Sequence, residues 1–195
     1  SVLRPQQTSV EAQNARNLYG DIAWFGVLSG VVSSFLSVFT IRLGGSDMHV
    51  GLLSALPALV AIFFSIPGSR LVERESKPLS VLLISGTLNR AGYVAIALVP
   101  FVLVARPADG VVALVGLLSI PGAVANVAFT TMFGKAVKPE NRAHVVSVRS
   151  VWVGITSTTA ALVGGKLLDV IVFPINYQIL FTLAFAASML SIYYL

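Results

Sequence analysis

The chain has 195 residues, 56% of them hydrophobic and only 11% charged, where a soluble domain carries roughly 25% charged residues. Its polar residues form short islands between apolar runs of about 20 residues, the length that spans a ~30 Å hydrocarbon core. Composition therefore excludes a soluble fold, and the absence of period-2 alternation excludes a β-barrel. There is no cysteine, so neither a disulfide framework nor a thiolate metal site is available. The net charge of +5 is concentrated in particular connections, a pattern of membrane topology rather than of nucleic-acid binding.

The reading predicts an all-α membrane protein with six transmembrane helices. Residues 1–17 form a polar cytoplasmic lead-in without the apolar core of a signal peptide. The helices are expected at about 18–43, 48–67, 79–104, 111–133, 151–171 and 177–195. Gly44-Gly45-Ser46-Asp47 breaks the first, Arg106-Pro107-Ala108-Asp109-Gly110 separates the third from the fourth, and Pro174-Ile175-Asn176 precedes the sixth. Between helices 2 and 3 lies a charged hairpin carrying Arg70, Glu73, Arg74, Glu75 and Lys77. A second charged loop runs from Lys135 to about Arg149. The chain begins with serine and stops at the end of an apolar run, so both ends read as cut.

Basic residues set the expected orientation. The lead-in, the hairpin and the second loop hold Arg4, Arg16, Arg70, Arg74, Lys77, Lys135, Lys138, Arg142 and Arg149, against Arg42, Arg106 and Lys166 on the other side. The positive-inside rule then puts the N-terminus, the hairpin and the second loop in the cytoplasm. A bacterial plasma (inner) membrane is the expected location.

Some residues stand out against this apolar background. Arg90 falls about 11 residues into helix 3, ~16 Å along its axis, where a charge costs at least ~2.5 kcal/mol. Asp21, near the start of helix 1, is the acid at a comparable depth, so an Asp21–Arg90 pair is expected, with a snorkelled arginine as the alternative. His49 reads as a solvated loop residue. Helix 1 carries Gly26, Ser29, Gly30, Ser33, Ser37 and Thr40 at spacings that share one face. Such a face is either a close-packing surface or a polar cavity wall. Helix 4 offers a comparable face with Ser119, Gly122, Asn126 and Thr130, and helix 5 one with Gly154, Ser157, Thr158, Ala161, Gly164 and Gly165. Pro57 and Pro121 favour bends.

The hairpin Ser69-Arg70-Leu71-Val72-Glu73-Arg74-Glu75-Ser76-Lys77 resembles the Gly-x-Leu-x-Asp-Arg-x-Gly-Arg-Lys/Arg loop between helices 2 and 3 of the major facilitator superfamily. Leu71, Arg74 and Lys77 match, and Glu73 stands for the aspartate. Pro139-Glu140-Asn141-Arg142 is similar to the family's second cytoplasmic loop, and Gly164-Gly165 lies where the fifth helix is glycine-rich. The resemblance implies the N-terminal half of a transporter fold, made of two inverted three-helix repeats. It implies a cytoplasmic gate at Glu73, Arg74 and Lys77, and a substrate cavity lined from helices 1 and 4, for which Ser33, Ser37, Asn126 and Thr130 are the candidates. It does not extend to the helix-4 arginine of proton-linked members, because Leu117-Leu118-Ser119-Ile120-Pro121-Gly122 holds none.

The expected function is secondary active transport of a small solute across the lipid bilayer by alternating access, drawing on a solute or ion gradient. The second six-helix half would be missing from this chain or supplied by a homodimer partner. The alternative is a complete six-helix membrane protein with a scaffold or assembly role. No enzyme motif, nucleotide loop, cofactor, metal or nucleic-acid site is expected, and the loops are too short for an ATP-driven exporter. The cavity faces are small and mostly uncharged, which points to neutral or amphipathic solutes rather than polyanions.

Overall fold

The computed structural model describes residues 5–74 and 78–195, with side chains from residue 12 onward. Its elements are α1 (Pro5–Arg42), α2 (Asp47–Arg74), α3 (Pro78–Val102), α4 (Pro107–Ala136), α5 (Pro139–Val170) and α6 (Ile175–Tyr193). Each is long and apolar enough to cross a membrane.

Local chemistry fixes the helix ends. Helix α1 stops in a Schellman turn: Gly44 has φ 86°, the Gly45 amide donates to the Thr40 carbonyl at 3.0 Å, and the Gly44 amide donates to Ile41 at 2.9 Å. The Ser46 amide ahead of α2 donates to Nδ1 of His49 at 3.1 Å, so His49 plays the part that glutamate takes in a capping box. Its Nε2 then donates to the Asp109 carboxylate at 2.8 Å. His49, expected to be solvated in a loop, instead joins the start of α2 to the start of α4. Prolines 78, 107 and 139 open α3, α4 and α5, where the missing amide hydrogen is no loss.

Several expected boundaries move, three of them substantially. Pro67 does not end α2, which continues to Arg74; a proline removes one hydrogen bond, a loss that membrane helices tolerate. Arg70, Glu73 and Arg74 therefore stand on the last turns of a helix rather than in a hairpin. The polar lead-in is helical from Pro5. The second charged loop shrinks to Val137-Lys138, because α5 starts at Pro139 and carries Arg142, His144 and Arg149 on helix. Arg142 folds back to cap α4, donating to the carbonyls of Gly134 at 2.6 Å and Val137 at 3.1 Å, which the helix end leaves open.

Helix α1 packs against α5 and α6, α4 packs against α2 and α3, and α3 packs against α6. Exchanging α1 with α4, α2 with α5 and α3 with α6 turns this set of neighbours into itself. Successive spans alternate in direction, so α4 runs opposite to α1 and the two three-helix units are inverted copies in packing, without residue-level repetition. Small residues permit the closest approach. A Cβ on Gly30 would lie 2.6 Å from Cα of Ser157, and one on Gly164 would lie 2.7 Å from the Phe35 ring. Gly26 meets Val153 and Thr156 in the same way. The glycines of the α1 face thus serve packing against α5 rather than lining a cavity.

The bundle is unevenly filled. At the end bearing the α1–α2, α3–α4 and α5–α6 connections, one large core holds Phe39, Ile96, Val111, Tyr177 and Phe181. Phe39 and Tyr177 stack there at 4.8 Å between ring centroids. Toward the other end, which bears the α2–α3 and α4–α5 connections, the core divides into two small clusters around Leu18, Val137 and Val145 and around Val72, Leu82 and Ala128. Polar side chains occupy the space between them.

Candidate functional site

The division of the core is where the charged side chains meet. Asp21 of α1 is buried, at 4% exposure. Its Oδ2 accepts from Nη1 and Nη2 of Arg149, each at 3.2 Å, and its Oδ1 accepts from the Ser191 hydroxyl at 2.6 Å. Arg149 also donates to the Leu18 carbonyl and lies over the Phe129 ring, 4.7 Å from the centroid. One carboxylate thus ties α1 to α5 and α6 together.

Arg90 is equally enclosed, at 8% exposure. Its Nη1 donates to the Ser188 carbonyl of α6 at 2.7 Å, and its guanidinium lies over Phe25, 5.2 Å from the ring centroid. The expected Asp21–Arg90 ion pair is therefore corrected: Asp21 is bonded to Arg149, and Arg90 holds a backbone carbonyl on α6. Both arginines and Asp21 nevertheless line one cavity of about 440 Å³, together with Asn89, Asn126, Phe25 and Phe129. Two cations face one carboxylate there.

A second cavity of about 330 Å³ lies among α1, α2, α3 and α4, lined by Pro57, Tyr93 and Ser119 among others. Asn89, Gly122 and Asn126 line both cavities and so form the wall between them. Asn89 spends its amide hydrogen on the Leu118 carbonyl at 2.9 Å, one residue beyond the Leu117 carbonyl that Pro121 leaves without its helical donor. Asn126 is exposed, and its side-chain amide makes no hydrogen bond to the described residues.

The other candidates are scattered. Ser33 is exposed and donates to Gly30 at 3.2 Å. Ser37 is half-buried. Thr130 donates to the Asn126 carbonyl at 2.9 Å on an exposed surface. None of these three lines either cavity. Glu73 and Arg74 are exposed at the end of α2, and Lys77 lies outside the described residues. The sequence reading missed Arg149 and Ser191 as partners of Asp21. Carrying helix 5 back to Pro139 would have placed Arg149 about 15 Å along that helix, too deep for a loop charge.

Inverted three-helix units enclosing polar, charge-bearing cavities define an integral membrane protein of the transporter class. The family model described as Major Facilitator Superfamily matches residues 23–195, and the chain belongs to that superfamily of transporters of small solutes. Neither curated proteins nor solved structures give a significant match.

Proposed function

We propose that this chain forms one six-helix half of a secondary active transporter that moves a small solute by alternating access, coupled to a solute or ion gradient. One observation carries the reading. Buried Asp21 and Arg90 and half-buried Arg149 converge with Asn89 and Asn126 on a cavity at one end of a bundle whose other end is packed with apolar side chains. Ionisable groups inside a membrane bundle are costly, and functional pathways are where they are typically retained.

In this reading the charge-rich end is cytoplasmic, in keeping with basic residues such as Arg16, Lys135, Lys138 and Arg142 there, and the membrane is a bacterial plasma membrane. Glu73 and Arg74, with Lys77, act as the gate at that end by pairing with a second six-helix unit. That unit is supplied by more of the same polypeptide or by a second copy. The nearly bare faces of α2 and α5, which bury few residues within this bundle, suit such a partner as well as lipid.

The test is uptake into proteoliposomes containing the purified full-length protein, across a panel of labelled solutes, with and without imposed proton and sodium gradients. Gradient-dependent accumulation that an ionophore abolishes is the expected result. Passive or absent flux for every solute under every gradient would overturn the reading.

A further inference from the structure

We infer that the 440 Å³ cavity among α1, α3, α4, α5 and α6 binds a small organic monocarboxylate, whose anionic group docks on Arg90. The inference rests on the transport reading and names the solute class for it.

The charge balance points to an anion. Asp21 accepts from two N–H groups of Arg149 and from the Ser191 hydroxyl, so its hydrogen bonds go to α5 and α6 rather than to Arg90. Among the described residues no carboxylate is bonded to Arg90, and only its Nη1 is used, on a neutral carbonyl. A guanidinium carries several N–H donors in a planar fork that fits a carboxylate, and Arg90 lines the cavity. The three side-chain charges sum to one unit positive. An uncompensated charge in an apolar bundle is costly. A neutral solute leaves it in place, a cation adds to it, and a monoanion closes it.

The remaining lining selects the body of the solute. Phe25, Phe129, Leu82 and Ile22 supply apolar walls, and the unbonded amide of Asn126 supplies one adaptable polar contact. The volume lies within the usual range for small-molecule sites. An amphipathic monocarboxylate satisfies all of these, whereas inorganic phosphate or a dicarboxylate brings more negative charge than the cavity offsets and no apolar body.

Thermal unfolding of the purified full-length protein with matched probes tests this: benzoate against benzamide, hexanoate against hexanamide, and inorganic phosphate. A ligand that binds only the folded state raises the melting temperature. Carboxylates are expected to raise it by several degrees and their amides not at all. Arg90→Gln should weaken carboxylate binding ~10-fold or more, as loss of a charge-assisted bond does, and Arg90→Lys should restore part of it. Asp21→Asn should strengthen carboxylate binding, because two cations then face no carboxylate. A purely structural role for these residues predicts that Asp21→Asn and Arg90→Gln both weaken binding.

Equal shifts from benzoate and benzamide, an unchanged benzoate shift in Arg90→Gln, a weaker one in Asp21→Asn, a larger shift from phosphate, or no shift from any probe would each overturn the inference. If Arg90→Gln or Asp21→Asn does not fold, Asn126→Ala substitutes for it, with a several-fold loss expected and no loss refuting. Carboxylate binding without uptake in proteoliposomes would remove the transport reading and leave the anion site standing. Uptake of a neutral solute without carboxylate binding would do the reverse.

Discussion

Removing one partner of the Asp21–Arg149 pair should be among the most damaging single changes available in the bundle. The two side chains are 5% and 11% exposed, and the carboxylate holds three hydrogen bonds, two from Arg149 at 3.2 Å and one from Ser191 at 2.6 Å. Unit charges at that separation attract by about 5 kcal/mol at an effective dielectric constant of ~20, and desolvation of both groups offsets much of this in the intact pair. The offset is lost when one charge is left behind, so Asp21→Ala or Arg149→Ala should each cost about 3–5 kcal/mol. That corresponds to a fall of roughly 6–20 °C in melting temperature for a domain of this size. The double variant Asp21→Leu/Arg149→Met removes both charges and should be more stable than either single variant. Trp24 and Trp152 each lie three residues along the chain from one member of the pair, so intrinsic fluorescence during thermal unfolding in detergent is a suitable local assay. Single variants within 1 kcal/mol of the parent, or a double variant no better than the sum of the singles, would refute the assignment of the pair as a buried, mutually compensating unit.

Other positions give independent checks. Gly30→Leu places side-chain atoms on the Ser157 backbone and should cost about 1–3 kcal/mol by overpacking, read as a lower detergent melting temperature; an unchanged value would mean that α1 and α5 are not in this contact. Gly44→Ala meets no atoms within 4 Å but must hold φ 86°, so a loss of about 1 kcal/mol from backbone strain alone is expected, again by thermal unfolding. Arg142→Ala uncovers the carbonyls of Gly134 at the end of α4 and of Val137 just beyond it and should cost about 1–2 kcal/mol, with faster hydrogen exchange at the α4–α5 junction as its local signature.

The six spans were legible in the sequence because burying a backbone in hydrocarbon demands a long apolar helix, and that demand is met within each segment. The break at Gly44-Gly45 and the start at Pro78 were legible for the same reason: a glycine or proline acts on its own backbone. The starts at Pro107 and Pro139 were read as turn and loop, because polar neighbours masked the first helical turns. The end of helix 2 at Pro67 and the start of helix 5 beyond Arg149 were misread because polarity marks contact with water or with other charges, and helices continue through both. Which charges meet was not legible at all. Asp21 and Arg149 are 128 residues apart, and Arg90 and Ser188 are 98 apart, so their pairing depends on how α1, α3, α5 and α6 pack. The sequence by itself determined that Asp21 and Arg90 would be placed where charge is costly. Only the tertiary structure decided that Arg149 neutralises the one and that the other faces a cavity without a bonded carboxylate, because long-range electrostatic partners are chosen by packing rather than by local periodicity.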